Sequence, residues 1–150
     1  QLGGIVQLTQ LCRVSLLHWK LLIPLLRKKA HLSEEGAAAT LAALLDVTDH
    51  QGRTALYVAC SCGHMEEARL LLEQGANPWL SDNKNAYNAL HQACLKGRMP
   101  VVKLLLVDLP DQWQLSPTDH VTRLVNSRTA TGFTPLHCAI AGADASPFTM

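Results

Sequence analysis

The stretch Cys60-Ser61-Cys62-Gly63-His64 sets two thiols and an imidazole close together in the chain. Thiolates and imidazole nitrogens are the ordinary ligands of zinc, and neighbouring thiols are also open to oxidation. A structural zinc site needs four ligands, usually as two short-spaced pairs. No C-x-x-C or H-x-H appears elsewhere in the sequence to supply the second pair. Nucleophilic chemistry fares no better. His137 and Cys138 are adjacent, so on a helix they diverge. His91 and Cys94 stand three apart and could touch. No phosphate-cradling glycine loop is present. The expectation is a chain that is not an enzyme and uses no metal or cofactor, with redox chemistry at Cys60 and Cys62 a minor alternative.

Composition supports that direction. In 150 residues, 48% are hydrophobic but only 5% aromatic and 17% charged. One core must therefore be built mainly from Leu, Ala and Val, which suits closely packed helices. The net charge of +1 gives no overall field toward nucleic acid or an anionic membrane. Arg27-Lys28-Lys29 reads as a solvated helix end. The apolar run Leu21 to Leu26 is too short to span a bilayer. Five scattered cysteines suit reduced thiols in an intracellular protein, cytoplasmic or nuclear. A start at Gln1 with no evident signal peptide reads as a fragment or a processed product.

The elements that position these residues repeat. Aligned from Asp49 and Asp82, with one extra residue in the second turn, Ala55-Leu56 matches Ala89-Leu90 and Ala59-Cys60 matches Ala93-Cys94. Gly63 then matches Gly97, and Leu70-Leu71-Leu72 matches Leu104-Leu105-Leu106. A third start at Thr131 places Thr134, Leu136, Ala139 and Gly142 on Thr54, Leu56, Ala59 and Cys62, its glycine one place early. Each unit predicts a polar turn, then a short helix capped by Thr54, Asn88 or Thr134. A glycine ends that helix (Gly63, for example), and a second leucine-rich helix closes at Gly75. Such a pair cannot bury its own apolar face and must stack on copies of itself.

The period of about 33 residues and the marks "GRTAL…A…GH…LLLEQGA" and "TPLH" at Thr134 to His137 resemble the ankyrin repeat. The resemblance implies an all-α solenoid of stacked helix-turn-helix units with β-turn tips. It assigns repeats to 49–81 and 82–108 and a truncated one to 129–150. In the last, Ala143 to Met150 lacks a second amphipathic helix and carries Pro147. Three places depart from the pattern. Ala55 and Tyr57 replace the usual Pro and His, and Asn85-Ala86-Tyr87 stands where a glycine is normal. Residues 109–128 read as an extended loop insertion with a short helix starting near Pro117. Residues 1–48 read as helical, either a degenerate repeat plus an insertion or an unrelated cap.

The resemblance also implies the function: a scaffold or adaptor that binds a partner protein on the concave face of the stack. The alternative is a regulatory or substrate-recruiting fragment of a larger enzyme or channel, such as a ubiquitin ligase or kinase. Neither nucleic acid nor membrane insertion is expected. Carried over by position, the partner-binding residues are His50, Gln51 and Arg53 at the first tip. Asn83, Lys84 and Tyr87 take the second tip, and Thr131 and Phe133 the third. On the first helices they are Ser61 and Cys62, matched by Leu95 and Lys96. Arg53, Tyr87 and Phe133 are the expected anchors, because Arg and aromatics dominate interface hot spots. Trp79, in the link between units, is expected to pack on the neighbouring repeat. The Cys62 thiol is expected to be exposed and Cys60 protected.

Overall fold

The structure is a computed structural model that describes residues 24, 25, 28, 42, 43, 45–108 and 117–144. Thr54 sits in extended backbone, and its Oγ1 accepts the Tyr57 N–H at 3.1 Å, which starts α1, Ala55–Cys62. Gly63 ends α1 at φ 79°, a left-handed conformation that glycine takes without a Cβ penalty. The reversed chain enters α2, Met65–Glu73, whose first turn carries Glu66 and Glu67 at the positive end of the helix dipole. Leu71 and Leu72 on α2 are fully buried, as Leu56 and Ala59 on α1 are.

The second unit rebuilds this from different residues. Asn88 caps α3, Ala89–Leu95, by accepting the His91 N–H, while its own N–H donates to His91 Nδ1. After α3 the Arg98 N–H returns to the Ala93 carbonyl, as the His64 N–H returns to Ala59. Helix α4, Met99–Leu106, buries Val101, Leu104 and Leu105. Then come α5, Pro117–Val125, and α6, Pro135–Asp144. Helix α3 packs against α1, α4 and α6, so the first helices form one row; α2 lies against α1 and α4. A single core runs through the stack from Leu45 to Leu124.

Two features of the third unit differ from the sequence reading. Gly142 does not end its helix, since α6 continues to Asp144. It serves packing instead: a Cβ there would collide with the Leu95 carbonyl, so α3 and α6 approach closely only because that atom is missing. Leu136, aligned with the buried Leu56, is 69% exposed. Leu56 and Leu90 are buried, in units whose first helix packs on a second, α2 or α4. The expected loss of a second helix in the third unit concerns Ala143 to Met150, most of which lies outside the described residues. Most of 1–48 lies outside them too, although Leu45 is in the core and the Asp46 carboxylate accepts the Asn77 N–H at 2.8 Å.

The segment after α4 is tied to the stack. Leu124 joins the main core, and His120 donates from Nε2 to the Leu105 carbonyl at 3.3 Å. The Arg123 guanidinium lies 4.8 Å from the Trp79 ring centroid, with His120 edge-on to the same ring. Trp79 thus packs on the core with α5 of the insertion over it, rather than on the neighbouring repeat alone.

Candidate functional site

The tips determine the concave face. In the first, the Asp49 N–H donates to the Arg53 carbonyl at 3.0 Å, and the Gly52 N–H returns to Asp49. In the second, the Asp82 N–H donates to the Tyr87 carbonyl at 2.9 Å, one residue further along; in the third, Thr129 does the same to Phe133. Arg53, Tyr87 and Phe133 therefore occupy one position in three successive turns. The left-handed corner is Gly52 at φ 77°, Ala86 at φ 55° and Gly132 at φ 83°. Successive tips are also joined. The Asn83 N–H donates to the Gln51 carbonyl at 3.0 Å, and the Ala130 N–H to Asn85 at 2.8 Å. The first tip needs glycine for this join, because a Cβ on Gly52 would lie 2.6 Å from Asn83 N.

In the first two units the first helix reaches the next turn through its third residue. The Tyr57 hydroxyl donates to Asp82 Oδ2 at 2.8 Å. Burial, and then this bond to a carboxylate, push the phenol well above the usual tyrosine range. His91 stands in the same place on α3. Its Nε2 lies 3.2 Å from the carbonyls of both Ser127 and Phe133, which can only accept, so Nε2 carries the proton. Nδ1 then accepts the Asn88 N–H. Burial lowers the His91 pKa, against those two carbonyls, which raise it.

Between the first two tips and the inner faces of α1 and α3 lies an open groove of about 500 Å³. Of the residues expected at the partner face, it gathers His50, Gln51, Arg53, Ser61, Asn83, Lys84, Tyr87 and Lys96. Arg53 is clamped by its own turn, with Nε and Nη2 at 2.9 and 2.8 Å from Asp49 Oδ2. Tyr87 is half-buried beside His91. Thr131 and Phe133 are exposed on the third tip, outside the groove, and Phe133 stacks on His137.

Two expectations change here. Cys62 is half-buried and does not line the groove, because its neighbour Ser61 takes the groove-facing position on α1. Leu95 is half-buried and also off the groove, its carbonyl lying under Gly142 of α6. Cys60 is fully buried, whereas its counterpart Cys94 is half-buried. Burial, with the Cys138 thiol nearby adding to it, pushes Cys94 up to about 11. His91 and Cys94 do not form a pair, since both ring nitrogens of His91 are engaged elsewhere.

Sequence reasoning missed Tyr57, Asp82, Asn85 and Gln92, which also line the groove. A signal for two of them was present. Tyr57 with Ser61, and Gln92 with Lys96, stand four apart on α1 and α3, so each pair shares a helix face.

A family model described as ankyrin repeats (3 copies) matches residues 29–114. That span takes in part of the segments on either side of the two clear units and stops short of the third. Over 112 residues the chain is 31% identical to a protein described as a probable E3 ubiquitin-protein ligase of Oryza sativa subsp. japonica, covering 63% of this chain and 23% of that protein. Over 109 residues it is 31% identical to an E3 ubiquitin-protein ligase of Arabidopsis thaliana, covering 63% and 22%. Over 64 residues it is 38% identical to an ankyrin repeat and KH domain-containing protein of Caenorhabditis elegans, covering 43% and 2%. The chain thus spans less than a quarter of each of these relatives.

Proposed function

The chain belongs to the ankyrin repeat family, and from that premise we propose that it works as a protein-docking module, a scaffold or adaptor without chemistry of its own. The observation that carries this reading is the groove between the first two tips. Backbone hydrogen bonds between successive turns hold its rim, and its walls bring together side chains from α1, α3 and both tips. A repeat stack offers such a surface without further rearrangement. Among the described residues no helix is long and apolar enough to cross a membrane.

The test is a pull-down with the Arg53→Ala, Tyr87→Ala, Phe133→Ala triple variant, checked by circular dichroism. The expected result is loss of the captured partner with the helical signal retained. Capture that survives in the folded variant puts the docking face elsewhere, the 109–128 segment being the next candidate.

A second reading is favoured by the likeness to two proteins described as a probable E3 ubiquitin-protein ligase and an E3 ubiquitin-protein ligase. In it the groove recruits a substrate or regulator for a larger enzyme of which this chain is a part. The full-length transcript separates the two readings, since a catalytic domain on the same chain supports the second.

A further inference from the structure

Resting on the reading of the groove as a docking face, we propose that its partner is an acidic segment of protein, with carboxylates seated at Lys84 and Lys96. Two acids stand at the groove's tips: Asp82 lines the groove, and Asp49 is paired with Arg53 and is not part of the lining. Asp49 Oδ1 accepts the N–H groups of Gln51 and Arg53, and its Oδ2 takes the Arg53 guanidinium. Asp82 Oδ1 accepts the N–H groups of Asn85 and Tyr87, and its Oδ2 the Tyr57 hydroxyl. Every carboxylate oxygen at the tips is thus occupied by a donor from the protein itself. In the third tip the corresponding residue is Thr129, which caps the turn through its hydroxyl and carries no charge.

The cations are placed differently. Lys84 on the second tip and Lys96 at the end of α3 are both exposed and line the groove, and neither ammonium group makes an ion pair or hydrogen bond among the described residues. The groove therefore presents two uncommitted ammonium groups; the Arg53 charge is offset by Asp49, and the one acid in the lining, Asp82, keeps its charge with both oxygens turned to donors of the protein itself. Charge complementarity of this kind steers encounter and rejects wrong partners. A net charge of +1 for the whole chain leaves too little positive field for nucleic acid, which needs many phosphate contacts.

The experiment is selection of random peptides from a display library on the folded chain. The selected peptides are then titrated against the Lys84→Glu/Lys96→Glu pair, the neutral Lys84→Gln/Lys96→Gln pair, Tyr87→Ala, and Lys103→Glu on the outer helix as a charge control. The expected result is acid-rich peptides whose binding weakens at least about tenfold with the Glu pair, less with the Gln pair and not with Lys103→Glu. Binding should also fall as salt is raised. If the Glu pair melts early by circular dichroism, the Gln pair answers the same question. Neutral or basic peptides that are lost with Tyr87→Ala overturn the acidic partner and leave the groove as the docking face. Failure to select any peptide, or peptides insensitive to every groove substitution, sinks both readings. A thymidine oligonucleotide binding more tightly than the best peptide overturns the proposal in favour of nucleic acid.

Discussion

Tyr57, His91 and His137 hold the same place in three units, and each settles its polar atoms differently. Tyr57 reaches forward to a carboxylate and His91 to two carbonyls, whereas His137 Nδ1 stays with Thr134. The consequence for pH falls on His91. Its folded pKa lies below the ordinary 6.5, so the native state prefers the neutral ring. Stability from this preference is fully present above 6.5 and is lost as pH falls through the folded value. The thermal midpoint should therefore drop between pH 7 and pH 5, and His91→Gln should flatten that drop while lowering the midpoint at pH 7. An equal slope in both proteins would assign the dependence to other groups. Asp49 acts in a lower window. Burial alone would raise its pKa, but the bonds from Arg53 and Gln51 outweigh it, so its stabilisation is lost only below about 3.8. The capping role of Asn88 was legible from its type. The tautomer and depressed pKa of His91 were not, because both depend on carbonyls far along the chain.

Single backbone positions decide whether the helices and turns fit together. Gly142 and Ala86 make the contrast. Gly142 lies within α6, where no turn demands it, yet a methyl there would meet the Leu95 carbonyl of α3. Gly142→Ala should cost about 1–3 kcal/mol through forced separation of the two helices. Ala86 is the reverse case, an alanine at φ 55° where the other two tips place glycine. Relieving a left-handed Cβ gains about 1–2 kcal/mol, offset by the greater unfolded-state freedom of glycine. Ala86→Gly should thus stabilise by a few tenths to about 1 kcal/mol. Urea denaturation of both variants checks the pair, and a stabilised Gly142→Ala would refute the close-approach explanation. The sequence marked both positions as departures from the repeat. It could not supply the reason, since a helix's own periodicity carries no record of the carbonyl that a neighbour will bring.

Taken as a whole, the molecule is held by one core threaded through successive units, so damage at its centre should be felt throughout. Leu71 on α2 is fully buried within that core. Leu71→Ala should cost about 2–5 kcal/mol and lower the melting temperature of the entire described stack. An unchanged midpoint would contradict a continuous core. The open side of α6 behaves differently, with Leu136 and Ile140 exposed at 69% and 57%. Truncating Leu136 removes little buried contact, even though the alignment gives it the same rank as Leu56. The sequence by itself determined the helical class, the unit length, the caps at Thr54 and Asn88 and the glycine break at Gly63, because these rest on local propensity and on a period written in the chain. It also located most of the groove, because tip residues follow from register. Only the tertiary structure decided that Cys62 and Leu95 turn away from that groove, that Tyr57 and Asp82 close it, and that Leu136 stays uncovered. Burial at a repeat position is set by what packs on it from the adjoining helix, and no residue type encodes the presence of that neighbour.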